Sequence, residues 1–286
     1  MNSMRNALKT TVLLAALGGL LMAVGSFFGQ GGLLIGFAFA LLTVGGSYWF
    51  SDKLALRSAG AQEVAEAQFP QYYAIMRDLT QRAGIPMPRL YISPSPQPNA
   101  FATGRNPSHA AVCVNQGILD VLNWDELRGV LAHEISHVRN RDILIGSVAA
   151  AVAMVITFAA RMAMWGALFG GGNRDDEGGN PLGYLAMVIL APIAAAMMQM
   201  ALSRNREYAA DSSGARLIGD GEPLARALEK LHAGVARVPD NVQPAQAQKY
   251  IANPLAGRKV MFGNLWTTHP PMQERVRRLR EHAWVS

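Results

Sequence analysis

The chain is organised by long stretches that carry no charge. No Asp, Glu, Lys or Arg occurs from Thr10 to Ser51, a run of 42 residues. A single helix of that length would reach roughly 60 Å, about twice the hydrocarbon thickness of a bilayer. Gly29-Gln30-Gly31-Gly32 interrupts the run and reads as a turn. The pattern therefore predicts two membrane spans, 10–28 and 33–50. The apolar run passes straight into the second span without a small-residue cleavage site, so the first span is not read as a removable leader. A second apolar block runs from Ile143 to Ser203 and is broken by the polar, Gly-rich stretch Gly170–Pro181. It predicts spans at 143–168 and 182–202, with Arg161 of the third span snorkelling to an interface.

Between and after these blocks the periodicity changes. Tyr72, Ile75, Met76, Leu79 and Ala83 recur at helical spacing, with Pro70 suited to a first turn and Gly84 to a stop. Arg89–Ser93, Phe101–Thr103 and Ala110–Asn115 read as short strands, the last two joined through the turn residues Arg105-Asn106-Pro107-Ser108. Asn123 followed three residues later by Glu126 has the form of a capping box. It opens a helix that runs past His137. Further helices are predicted near 203–218, 223–232 and 272–282, with a Gln/Pro/Ala-rich loop over 238–248. The expected fold class is α+β, predominantly helical, with about four transmembrane helices in two hairpins. The boundaries are an N-terminal hairpin at 1–51, a first polar part at 52–142, a second hairpin at 143–203 and a second polar part at 204–286.

Composition sharpens this division. Half of the 286 residues are hydrophobic and only 16% are charged, which excludes a disordered chain. The single cysteine, Cys113, excludes an internal disulfide and a Cys-rich zinc module. Thirteen Lys and Arg follow Ser203, against eight Asp and Glu. Four spans place this region on the same side as the N-terminal Arg5 and Lys9 and the central polar part. The positive-inside rule makes that side the cytoplasm, so both termini are expected there. The formal charge of +6 is then mostly topological. The run Arg275-Val276-Arg277-Arg278-Leu279-Arg280 reads as a solvated helix face near anionic lipid. No aromatic interleaving accompanies it, and no nucleic-acid partner is expected.

The chemistry is concentrated in His133-Glu134-Ile135-Ser136-His137. Residues four apart share a helix face, so both imidazoles can bind one metal ion, with Glu134 one residue round as a base toward water. Glu134 falls on the apolar stripe of Leu127, Val130, Leu131 and Val138, where a charge is costly unless it has a task. Hydrolytic zinc usually takes three protein ligands and a water. Glu207, just beyond the second apolar block, is the best candidate for the third. The competing reading is a surface acid paired with Arg204 or Arg206. Asp211, one turn on, is placed to orient a ligand imidazole. An extended substrate would lie along an edge strand. Asn99, Ala100 and Phe101, or Val112 and Val114, are the candidate contacts, with Asn99 as a backbone clamp.

These residues resemble the membrane zinc metallopeptidases of the HtpX protease family, relatives of the CAAX prenyl proteases. The resemblance rests on Asn99-Ala100-Phe101-Ala102, the helix from Asp125 through His137, Glu207 with Asp211, and His269-Pro270-Pro271 with Arg275. It implies a zincin-like domain on the cytoplasmic face of a bacterial inner membrane, multi-pass, holding one Zn2+. It implies cleavage of misfolded or damaged membrane proteins in quality control and the stress response. It makes Glu207 the third zinc ligand and Asp211 the support of a histidine ligand. It places His269 and Arg275 near the active site, as catalytic residues contacting substrate backbone or the developing oxyanion. Two other readings stand beside it: a prenyl-protein endopeptidase, and a non-catalytic zinc-containing membrane scaffold or chaperone.

Overall fold

The computed structural model describes residues 49, 52–53, 55–142, 204–235 and 270–285. Backbone contacts divide the chain into two units, 1–48 with 144–201 and 49–143 with 202–286; every described residue lies in the second. The four spans expected from the sequence, the loop at 238–248 and His269 lie outside the described residues. Among the described residues, no helix is long and apolar enough to cross a membrane.

The second unit is mixed and predominantly helical. Its order is β1 (Gln62–Glu63), α1 (Pro70–Ala83), β2 (Arg89–Ser93), β3 (Ala100–Thr103), a 3-10 turn (Pro107–His109), β4 (Ala111–Asn115), α2 (Gln116–Val121), α3 (Trp124–Asn140), α4 (204–218), α5 (Glu222–Val235) and α6 (Met272–Arg280). Local chemistry explains the main boundaries. Pro70 occupies the first turn of α1, where its missing N–H costs nothing. Gly84 ends the helix at φ 66, in the left-handed region that glycine adopts freely. At the start of α3 the Asn123 side chain accepts from Glu126 N at 2.9 Å, and Glu126 Oε2 accepts from Asn123 N at 3.0 Å. That reciprocal pair is the capping box expected from the sequence.

The sheet has the order β1-β2-β4-β3. β2 and β4 run parallel, while β1 pairs with β2 and β3 with β4 antiparallel. One sheet face carries Leu90, Ala100, Val112 and Val114 into the main core, with Tyr72, Met76 and Leu79 of α1 and Leu127, Leu131 and Ile135 of α3. Each such large aliphatic side chain contributes roughly 1.5–3 kcal/mol on burial. The other face carries Tyr91, Phe101, Ala111 and Cys113 against Ala55 and Leu56. Burial pushes the Cys113 thiol up to about 12.

Helices complete the unit. Gly129 lets α3 meet the start of α5 backbone to backbone, since a Cβ there would stand 2.5 Å from Leu224 N. Lys230 of α5 reaches Glu126 at 2.8 Å, so the capping carboxylate also ties the two helices. The arginines of α6 are engaged by the chain's own acids. Arg277 pairs with Glu274 and Glu281, Arg278 with Glu274, and Arg280 with Glu222 and Glu229. This helix face is solvated and largely self-neutralised; such exposed pairs add little stability.

Candidate metal centre

The site grows from the buried stripe of α3. Leu127, Val130, Leu131, Ile135 and Val138 face the core, and His133 and His137 follow on the adjoining flank, four residues apart. Their rings meet edge to face with centroids 4.7 Å apart. The two Nε2 atoms are 3.1 Å apart. Glu207 of α4 closes the triangle. Its Oε2 lies 3.7 Å from His133 Nε2 and its Oε1 lies 3.5 Å from His137 Nε2. One ligand atom from each residue falls within 4.8 Å of the others, so the three can hold a metal ion.

The donor types are among those that hold zinc. Tetrahedral bonds of about 2.0–2.1 Å give ligand-to-ligand edges of about 3.3–3.4 Å. The two Nε2 atoms stand 3.1 Å apart, and each lies 3.5–3.7 Å from a different oxygen of the Glu207 carboxylate, separations near that value. Two imidazoles and one carboxylate leave a fourth position for water, as hydrolytic zinc requires. Burial pulls the His137 imidazole pKa down, but Asp142 and Glu207 more than reverse this and raise it to about 10. The same two carboxylates that raise it favour positive charge at the centre.

Close backbone packing brings α4 to α3. A Cβ at Gly214 would stand 2.9 Å from His133 N. Only a hydrogen at this position allows so near an approach. Glu207 lies seven residues earlier, two helical turns back along the same side of α4.

A carboxylate backs each imidazole. His137 Nδ1 lies 2.9 Å from Asp142 Oδ2. His133 Nδ1 lies 2.9 Å from Asp211 Oδ1, close but short of a well-aligned hydrogen bond. Both contacts leave Nε2 facing the centre, the arrangement that fixes a ligand tautomer. Arg275 grips Asp211 with two bonds, Nε to Oδ2 at 2.8 Å and Nη2 to Oδ1 at 2.7 Å. Its Nη1 lies 3.5 Å from Glu207 Oε2. Burial pushes the Asp211 carboxyl up, but Arg275 prevails and holds it below the usual carboxylate range.

Glu134 is 6% exposed. Its Oε2 accepts from Ala102 N on β3 at 2.8 Å. Burial raises its pKa above the ordinary value, against the pull of His133 and His137. A buried carboxylate of raised basicity, beside three metal-ligating atoms, is suited to taking a proton from water.

The model of peptidase family M48 matches residues 66–283. This chain belongs to peptidase family M48. The family makes it a metalloprotease, a hydrolase. It is 51% identical over 282 residues to a "Protease HtpX homolog" of Syntrophobacter fumaroxidans, covering 97% of this chain and 99% of that one. A "Protease HtpX homolog" of Thermococcus kodakarensis is 50% identical over 279 residues, covering 96% of each chain. Among solved structures, the crystal structure of S. mikatae Ste24p matches with a TM-score of 0.59 at 19% identity. That match covers 96% of this chain and 66% of the longer Ste24p chain, and the likeness is one of fold.

Within this M48 unit the structure brings together His133, Glu134, His137, Glu207 and Asp211. Several expectations need correction. Arg275 is 1% exposed, and the contacts described for it are with the centre's own acids, Asp211 and Glu207. Val112 and Val114 sit on β4, an interior strand paired on both sides, and both are fully buried. No peptide can add there. The open strand is β3, whose pairing among the described residues is with β4 alone. The side chains of Asn99, Ala100 and Phe101 are also buried, Phe101 on the sheet face turned away from α3. The Asn99 carbonyl accepts from Asn115 N, inside the sheet. What β3 offers outward is main chain, at Ala100 and at the Ala102 carbonyl, the Ala102 amide being taken by Glu134. Asp142 and the Ala102 amide were missed by sequence reasoning. Asp142 follows His137 by five residues, which is not a helical pairing interval.

Proposed function

We infer that this chain is a membrane-bound zinc endopeptidase that cleaves misfolded or damaged membrane proteins. The observation that carries this reading is the convergence of His133, His137 and Glu207 beside Glu134, itself held by the open edge of β3. When bound, zinc supplies a Lewis acid that acidifies water and polarises a peptide carbonyl. The chain's own groups do the rest. An extended peptide pairs with the outward main chain of β3 and is thereby laid beside the centre. The Ala102 amide holds one oxygen of Glu134, leaving Oε1 to take the proton from water. As the water oxygen bonds to the peptide carbonyl carbon and the C–N bond breaks, Glu134 delivers that proton to the departing nitrogen. Recognition through main chain reads little side-chain identity, which suits varied damaged substrates.

The cytoplasmic placement rests on charge. The apolar segments 1–51 and 143–203 form two membrane hairpins, and 52–142 with 204–286 form one catalytic body on the positive side. The grouping of 49–143 with 202–286 into one unit supports this organisation. The lipid bilayer and membrane proteins are then its partners. His269, on the approach to α6, is retained as a candidate contact for substrate.

The test is a metal add-back proteolysis assay on the detergent-purified chain. Zinc should restore cleavage of an unfolded membrane protein to the chelated enzyme. The Glu134→Gln protein should bind zinc normally yet lose about 10²–10⁴-fold in rate. Wild-type rates in that variant would remove Glu134 as the base.

A further inference from the structure

The observation lies at the C-terminal end of α3. Arg141 caps this helix in the left-handed region, at φ 58. For a side chain other than glycine that conformation costs roughly 1–2 kcal/mol. It turns the chain so that the next residue reaches back over the last turn. Asp142 thereby sets Oδ2 2.9 Å from His137 Nδ1, although it is itself buried. A buried carboxylate needs a partner that compensates its lost hydration. This one is spent on a metal-ligand imidazole. Its main-chain oxygen is held as well: Arg206 Nη1 donates to Asp142 O at 3.1 Å. Asp142 immediately precedes the apolar segment 143–203, and Arg206 follows it, one residue before the ligand Glu207.

We propose that Asp142 is a positioning residue that aims His137 at the metal, and that Arg206 secures it by tying together the two chain ends that flank segment 143–203. The inference rests on the reading of His133, His137 and Glu207 as a metal centre. The donated Nδ1 proton keeps the Nε2 lone pair directed at the cation and removes the ring's freedom to rotate away. Arg206 holds the backbone from which Asp142 acts, so its influence on the metal passes through Asp142. The separation of the ends of segment 143–203 is then linked to metal affinity.

The experiment measures zinc affinity of the full chain in detergent by competition with a chromogenic chelator. The visible spectrum of the Co2+-loaded protein reports ligand geometry, and melting of the metal-free protein reports folding. Asp142→Ala should weaken zinc by about 10–100-fold and shift the Co2+ bands. Asp142→Asn should recover part of the loss, because its amide oxygen still accepts from Nδ1. Arg206→Gln should give a smaller loss, and the double variant should bind no more weakly than Asp142→Ala alone. Unchanged zinc affinity and Co2+ bands in Asp142→Ala would overturn the positioning role. If that variant does not fold, Asp142→Asn decides, and wild-type affinity and bands in it overturn the role equally. Independent, additive losses in the double variant would overturn the link through Arg206. His133→Ala separates the two levels: wild-type protein that binds no more zinc than this variant refutes the metal centre itself. Zinc lost in His133→Ala but kept in Asp142→Ala refutes Asp142 alone.

Discussion

At the scale of single residues, the centre is a set of charges that tolerate burial only together. Arg275 offsets Asp211, Asp211 backs His133, and Glu207 faces both imidazoles and the Arg275 guanidinium. Removing one member of a buried pair is far more damaging than the pair's net contribution. Arg275→Met should therefore cost about 3–5 kcal/mol of unfolding free energy in denaturant melts of the purified protein. Arg275→Lys should restore only part, because an ammonium cannot match both oxygens of Asp211. Glu207→Ala should lower the zinc content measured by atomic absorption, and full occupancy would exclude it as a ligand. The raised pKa of His137, about 10 without metal, gives a pH dependence with a definite sign. The free site carries a proton that zinc must displace, so affinity should rise with pH across the neutral range, by up to about tenfold per unit for one proton released. A flat titration between pH 6 and 8 would show that this proton is absent. These residues differ in how plainly the sequence announces them. His133 and His137 follow directly from the helical period. Glu207 could be named because two spans expected between 143 and 203 would return the chain to its starting side. Asp142 stayed hidden because its reach depends on Arg141 adopting a conformation that sequence associates with glycine or asparagine.

At the scale of elements, the centre depends on how near α4 can come to α3. Gly214→Ala adds one methyl group where the His133 backbone leaves no room. The helices must part, at a cost of about 1–3 kcal/mol. Because Glu207 rides on α4, zinc affinity should fall along with stability. A variant that loses stability but keeps wild-type zinc affinity would show that Glu207 is placed by other contacts. The elements were readable wherever one local signal dominates. Proline and glycine frame α1, and the capping box opens α3. The two residues of β1 and the six of α2 carry too few positions for any period to show. Strand order was beyond reach for a physical reason. Val112 and Val114 alternate as an edge strand would, but alternation records which face is buried, never which lateral edge is paired.

At the scale of the whole molecule, the sequence separates charge-free from charged segments sharply, and the division into two units follows nearly the same boundaries. The orientation of those segments is open to direct chemical mapping. Cys113 is fully buried with its thiol pKa near 12, so the native chain offers almost no thiolate to labelling reagents. A cysteine placed at Gly31 or Gly172 should react with an impermeant maleimide on intact cells exposing the outer face. One placed at Ser286 should react only after the membrane is opened. The reverse pattern would invert the topology.

The scattered origin of the centre also has a consequence in time. Its ligands stand at positions 133, 137 and 207, and the arginine that neutralises its buried acids stands at 275. A ribosome making this chain releases both histidines well before Glu207, and Arg275 only some seventy residues after that. A growing chain thus lacks a finished zinc pocket until late in synthesis. A protease built this way has no complete active centre while its own chain is still being made.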